Sequence, residues 1–236
     1  MATEKSYKDI WEAAREGGLL EVQSFIDVKG IEVDGIDPDR RTALHWAAAG
    51  GHNEIVKYLL SRGAARDPVD EDGWSPLMSA VSASKEDVVD TLLEAEVDVN
   101  RSNDTKNCII HYAASKGNLD IFKKIMKKGA KASPTDKYGN TALHRACGNV
   151  IMKESDRLEM VKLLLSKTSP NKKNNRSETP LHIAVVEDNR AVALLLVNEG
   201  ADVLIEGEDE KNSLELARFD FRDELLECAR RKDRAQ

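Results

Sequence analysis

The 236 residues are 41% apolar and 33% charged, with a net charge of −7 and a pI near 5.4. Such a chain folds with a well-solvated surface, and its negative balance argues against a nucleic-acid coat or an anionic membrane as the main partner. Cys108, Cys147 and Cys228 are odd in number and widely spaced, without a CxxC, which predicts free thiols and a cytoplasmic or nuclear setting. The start "MATEKSYKDI" has no apolar signal core and no run approaches the roughly 18 apolar residues of a membrane span, so a soluble intracellular protein is expected.

In chain order, "KDIWEAAREGGLLEVQSFI" (8–26) reads as two short helices about a Gly-Gly turn. The segment "RRTALHWAAAGGHNEIVKYLLSRGA" (40–64) then sets a pattern that returns. "TALH" at 42–45 is followed by "SPLM" at 75–78, "CIIH" at 108–111 and "TALH" at 141–144, each 33 residues after the last. "TPLH" at 179–182 comes 38 residues later, and "NSLE" at 212–215 a further 33. Behind the motifs lie tails such as "EIVKYLLSRGA" and "DIFKKIMKKGA", and before them turns such as "DEDGW" and "DKYGN". Each unit therefore predicts a turn, a short helix, a second amphipathic helix and an exit often closed by glycine. Seven units are expected in one domain, over about 5–36, 37–69, 70–102, 103–135, 136–173, 174–206 and 207–236, the last a C-terminal cap with a charged outer face. In the fifth, "CGNVIMKESDRLEMV" carries about six extra residues between its helices, read as a tolerated surface insertion.

Four of the five histidines stand at the fourth motif position. Threonine there is an N-cap, proline or alanine follows at the first helical position, and leucine points inward. The histidine falls where a capping box places Glu or Gln, and Asn212-Ser213-Leu214-Glu215 has the glutamate itself. A role that glutamate can fill is hydrogen bonding, not nucleophilic or metal chemistry. A Thr-His catalytic pair would need one activated copy with an orienting third group, whereas this pair recurs along the chain. Zinc needs three or four converging ligands, while motif histidines on successive layers would lie about 10 Å apart. There is no phosphate loop, GxSxG or HExxH, and His52 reads as the polar opening of a second helix. No enzyme, catalytic residue, metal or cofactor is expected.

The 33-residue period with T-P-L-H, then A-A, then L-L-x-x-G-A resembles the ankyrin repeat. The resemblance implies an all-α fold, an ankyrin-repeat solenoid of helix-turn-helix units with β-turn fingers. Ankyrin stacks bind proteins through their finger tips and the concave face of their first helices, with residues that vary between repeats. That remainder includes Asp39, Arg41, Asp70, Glu71, Asp72, Trp74 and Tyr138 on turns, and Trp46, Tyr112, Lys116, Arg145, Glu187 and Asp188 on first helices. Trp, Tyr and Arg are enriched among binding hot spots. Charge also changes sign: residues 67–104 hold eleven acids against two bases, residues 105–131 one acid against seven lysines. A partner of complementary, alternating charge is implied.

"DRRTALHWAAAGGHNEIVKYLL", "DEDGWSPLMSAVSASKEDVV", "IIHYAASKGN" and "DKYGNTALHRA", in that order, are similar to successive repeats of the gankyrin family of proteasome assembly chaperones, over about residues 5–217. The resemblance implies a non-enzymatic protein, cytoplasmic and nuclear, monomeric when free. Its partner would be the C-terminal helical domain of one proteasome base AAA ATPase, the third regulatory-particle triple-A subunit. Arg41 and Lys116 match family positions that pair with acids of that domain; Asp39 and Glu71, with Asp70 and Asp72, match acidic tips facing its bases. Glu187 and Asp188 extend the acidic contact, and Trp46, Trp74 and Tyr112 stand where the domain packs. The alternative is an ankyrin adaptor for a kinase or transcription regulator. Animal members carry a Leu-x-Cys-x-Glu element associated with retinoblastoma-protein binding; here Ile183-Ala184-Val185-Val186-Glu187 lacks its leucine and cysteine, so that activity is not carried over. Met78, Cys108, the insertion and the charged tail after Arg218 are further departures.

Overall fold

Each motif closes its own helix start. In the computed structural model, which describes residues 7–233, Thr42 is extended (φ −86, ψ 167) and its amide donates to Nδ1 of His45 at 3.1 Å. Thr141 with His144, Thr179 with His182 and Cys108 with His111 repeat this box, also at 3.1 Å. In the worn copy Asn212 donates its amide to Glu215 and accepts from Leu214 and Glu215, as the sequence predicts. An N-cap amide that would otherwise be orphaned is satisfied each time.

Seven helix pairs follow from seven starts. They are α1 (Ile10–Glu16) and α2 (Leu19–Gln23), α3 (Ala43–Gly50) and α4 (Asn53–Ser61), α5 (Pro76–Ser82) and α6 (Glu86–Glu94), α7 (Ile109–Lys116) and α8 (Leu119–Lys127). Then come α9 (Ala142–Cys147) and α10 (Glu154–Leu165), α11 (Pro180–Val186) and α12 (Arg190–Asn198), α13 (Ser213–Leu216) and α14 (Phe219–Asp233). A turn of π-helix, Ser24–Val28, continues α2 and presents Asp27 to Tyr58 and Arg62 of the next repeat. No strand occurs among the described residues; two isolated bridges, Ile36 with Thr42 and Glu206 with Asn212, pin the bases of two fingers.

Contacts divide the chain into two compact units, Met1–Asp104 with Lys127–Gly129, and Thr105–Met126 with Ala130–Gln236. In the first, α1 packs on α3 and α3 on α5, while α2 packs on α4 and α4 on α6. Ala13, Ala14, Ala47, Ala48 and Ala80 are fully buried between first helices, where small side chains let backbones approach. Val22, Ile55, Leu59, Val88 and Leu92 fill the second-helix layer. In the other unit α7, α9, α11 and α13 stack in turn, and α10, α12 and α14 behind them. Phe221 and Leu225 of α14 are fully buried, so the long last helix closes that core, with Asp220 and Arg222 outward. The insertion enters at 148–153, a link of six residues between α9 and α10 where the other repeats have two or three. About three or four of the expected six extra residues therefore lie between the helices, and the rest lengthens α10 to 12 residues, where most second helices have nine.

The second ring nitrogen of each motif histidine joins neighbouring repeats. In the first unit His45 Nε2 donates to the Trp74 carbonyl at 3.0 Å. In the other, His111 donates to Asn140 (3.1 Å), His144 to Glu178 (3.2 Å) and His182 to Lys211 (3.3 Å). Every acceptor is the carbonyl just before the next repeat's cap residue. A carbonyl can only accept, so the proton sits on Nε2 and each ring is neutral. His52 likewise donates from Nε2 to the Arg15 carbonyl at 2.8 Å, a structural use of the polar residue that opens α4.

Burial, against these hydrogen bonds, holds His45, His111 and His182 below the ordinary histidine value and His144 at about 4. Above about pH 6.5 the folded and unfolded chains both carry neutral rings. Below it the unfolded chain takes up protons that the folded chain refuses, so stability present above that pH is lost as pH falls. For His144 alone the loss between pH 7 and pH 4 is roughly 3 kcal/mol. Urea midpoints should therefore fall steadily from pH 7 to pH 5, and His144→Ala should flatten the slope while lowering the midpoint at pH 7; a midpoint flat across that range in the wild-type chain contradicts the argument.

Candidate functional site

Five residues before the caps at 42, 75, 108, 141 and 179 stands an Asp or Asn, and Asp37, Asp70, Asp136 and Asn174 build their finger turns. Asp37 Oδ1 accepts the amides of Asp39 (3.0 Å) and Arg41 (2.8 Å), and Asp70 Oδ1 those of Asp72 (3.1 Å) and Trp74 (2.8 Å). Asp136 does the same for Tyr138 and Asn140, both at 2.9 Å, and Asn174 for Arg176 and Glu178. Neighbouring tips are joined through backbone, Glu71 N to Asp39 O at 3.0 Å in the first unit and Asn175 N to Tyr138 O at 2.9 Å in the other. Tip side chains are thereby aimed outward on a fixed frame.

In the first unit the second carboxylate oxygens gather three of the expected site residues. Asp37 Oδ2 accepts Trp46 Nε1 at 2.8 Å. Arg41 stacks on the Trp46 ring, 4.5 Å from its centroid, pairs with Asp70 Oδ2 at 3.3 Å and donates to Ser79 Oγ at 3.1 Å. A stack of this kind contributes about 0.5–1 kcal/mol where partly exposed. Asp70 is thus a largely covered anchor, whereas Asp39, Glu71 and Asp72 are exposed at the tips. With Arg41, Asp70 and Trp74 they line a cleft of about 360 Å³. Four carboxylates against one guanidinium, itself held by one of them, give the cleft an excess of negative charge, complementary to a cationic group. A second cleft, about 370 Å³, lies between α1 and α3 and is lined by Trp11, Arg15 and Trp46 among others.

In the other unit Asp136 is wholly buried and binds the Arg145 guanidinium. Burial pushes its carboxyl up, but the Arg145 hydrogen bond and charge and the Asn140 and Tyr138 amides outweigh burial and hold it below the ordinary carboxylate range. Arg145 is therefore anchored, about a third open to water. Tyr112 is half-buried on α7, and Lys116 is exposed in its last turn. Tyr138 is exposed at its tip, with Lys137 over the ring at 5.1 Å. Glu187 and Asp188 follow α11 on the surface; Asp188, left-handed at φ 51, pairs with Arg190 (3.2 Å) and Arg218 (3.4 Å). The anchoring roles of Asp37 and Asp136 are invisible to a reading by residue type, although the recurrence of Asp or Asn five residues before the cap signals them.

Both ring nitrogens of each motif histidine are engaged in the hydrogen bonds described. Burial pushes the Cys147 thiol far up, so it forms no thiolate near neutral pH. Among the described residues no three His, Cys, Asp or Glu side chains come together as a metal site, and no helix is long and apolar enough to cross a membrane. The arrangement offers fixed surface charge and ring faces, the equipment of a binding surface.

Comparison with known proteins agrees in architecture. The family described as ankyrin repeats (3 copies) matches residues 10–103 and 110–207. The probable 26S proteasome regulatory subunit p28 of Saccharomyces cerevisiae is 28% identical, over 80% of this chain and 83% of its own. The 26S proteasome non-ATPase regulatory subunit 10 of Dictyostelium discoideum is 41% identical over 91 residues, 38% of this chain and 39% of its own. The human transient receptor potential cation channel subfamily A member 1 is 28% identical over 81% of this chain, which spans only 18% of the channel. Among solved structures, the human ASB11 ankyrin repeat domain superposes with a TM-score of 0.80 at 26% identity, covering 94% of this chain and 98% of that one.

The two anchored arginines differ in what they leave behind when removed. Arg145→Met strands the wholly buried Asp136 and should destabilise by roughly 2 kcal/mol, reduced from the fully buried case because the guanidinium is partly hydrated. Arg41→Met strands the slightly exposed Asp70 and should destabilise less. Chemical unfolding of both variants checks the order; a neutral Arg145→Met would return Arg145 to the free binding surface.

Proposed function

The chain belongs to the ankyrin-repeat family, and from that premise we propose that it is a non-enzymatic assembly chaperone of the 26S proteasome regulatory particle. Ankyrin repeats are a protein-interaction scaffold, so the question is which partner the surface fits. The partner proposed is the C-terminal helical domain of a base AAA ATPase, the third regulatory-particle triple-A subunit. Held by the fingers and first helices, the ATPase is kept from docking on the core particle before assembly is complete. Residence in cytoplasm and nucleus belongs to the same reading.

The observation that carries it is the acid-tipped cleft of the first unit. Asp39, Glu71 and Asp72 ring a floor of Trp74 and a clamped Arg41. That surface asks for a partner with exposed bases and an acid within reach of the arginine. The exposed Lys116 and Glu187 of the other unit offer both signs again. Supporting a proteasome partner are two relatives named as 26S proteasome regulatory subunits, one of them similar over most of its length.

Reversal of charge separates this reading from a generic one. Because Asp39, Glu71 and Asp72 are exposed, replacing all three by lysine should leave the thermal midpoint unchanged. Affinity for the purified ATPase domain should drop about tenfold or more, with its salt dependence reduced. Lys116→Glu should act in the same direction and is a cleaner probe than Arg41→Glu, which also strands Asp70. Titration calorimetry at low and high salt reads both effects. Absence of binding by the wild-type chain sinks the proposal and leaves the kinase or transcription-regulator adaptor reading.

A further inference from the structure

The insertion in the fifth repeat is a folded element. Asn149, its second residue, is buried and works in both directions. Its Oδ1 accepts the amides of Ile151 (3.1 Å) and Met152 (3.2 Å), and its Nδ2 donates to the carbonyls of Ala114 (3.2 Å) and Ser115 (3.0 Å) at the end of α7. Gly117 makes room for it: a Cβ there would stand 2.7 Å from Asn149 Nδ2. From α10 the buried Arg157 donates to the Asn149 carbonyl at 2.6 Å. The loop is tied to the repeat before it and to its own second helix.

The tied loop carries apolar side chains into water. Ile151 is 95% exposed and Val150 57%. Val150, Ile151 and Ile183 of α11 line a cleft of about 320 Å³ shared with Asn140, His144 and Arg145. Val186, three residues beyond Ile183 on the same helix face, is 64% exposed. Most of the polar lining is already engaged: His144 through both nitrogens, Asn149 through both ends of its amide, and Arg145 on Asp136, with one guanidinium edge left to water. A hydrogen-bonding ligand therefore gains little here, while an apolar one removes Val150, Ile151, Ile183 and Val186 from water. Lys116, adjoining the Ser115–Gly117 edge, and Glu187, following Val186, put opposite charges at the two ends.

We infer that the insertion and α11 form a second docking surface for the helical domain of the proposed function, taking the apolar stripe of one partner helix. That helix carries an acid toward Lys116 and a base toward Glu187, the charge order that this surface complements. The inference rests on the proposed chaperone reading and adds a specificity element to it. Because the loop is already held, little ordering entropy is lost when the helix docks.

The test is the double variant Val150→Ser/Ile151→Ser, titrated with the purified ATPase domain beside the wild-type chain and the Asp39→Lys/Glu71→Lys/Asp72→Lys variant. Both replaced side chains are exposed, so the thermal midpoint should stay at the wild-type value. Affinity should fall about tenfold, as burial of two aliphatic side chains implies, and the loss should be equal at low and high salt, unlike that of the charge reversal. A double variant with wild-type affinity, while the finger reversal weakens binding, overturns the inference and leaves the function standing. No binding by the wild-type chain overturns both.

Discussion

One imidazole joins two helix starts in this fold. Its Nδ1 takes the amide of its own cap residue, and its Nε2 proton goes to the carbonyl before the cap of the next repeat. The amide is a buried backbone group, which left unmade would cost about 1–3 kcal/mol, the carbonyl is half-covered, and only a neutral ring of fixed tautomer serves both. Glutamate at the last copy meets the local need. In the third repeat Met78 fills the position as a buried apolar residue, and Ser75 and Pro76 make the helix start by themselves.

The same bond explains how the fifth repeat absorbs its insertion. Histidine and acceptor are 29 residues apart for His45, His111 and His182, but 34 for His144, at nearly the same distance. The extra chain leaves the stack between the two helices, away from the ring and its carbonyl. Repeat spacing in space is thus independent of repeat spacing in sequence. That independence lets a surface element be added without disturbing the frame that presents it.

Recurrence made the repeats legible from residues alone: helix caps, histidines and helix pairs all announce themselves by returning. The finger acids recur too, yet by residue type they count as surface charge. Asp136 is wholly buried and Asp70 nearly so, because each carboxylate replaces water with two backbone amides and a side-chain donor. Trp46 and Arg145 occupy the same place after the histidine and do the same thing, each donating to the finger carboxylate nine residues before it. An indole and a guanidinium share neither charge nor shape, so only the geometry reveals that their polar ends are committed. What remains of them for a partner is the ring face of Trp46 and the hydrated edge of Arg145.

Anchoring and binding are therefore divided along each finger by distance from the helix start. Oxygens near the cap go to backbone amides and to the residue after the histidine; side chains at the tip, Asp39, Glu71, Asp72 and Tyr138, keep their water. A tip carboxylate on a fixed turn loses little freedom when it meets a base, and its partner can be exchanged by substitution without cost to the core. The insertion follows the same division, with Asn149 inside, held by Arg157 of α10, and Val150 and Ile151 outside. Its outer residues differ in one respect: they are apolar, and water opposes their exposure until something covers them.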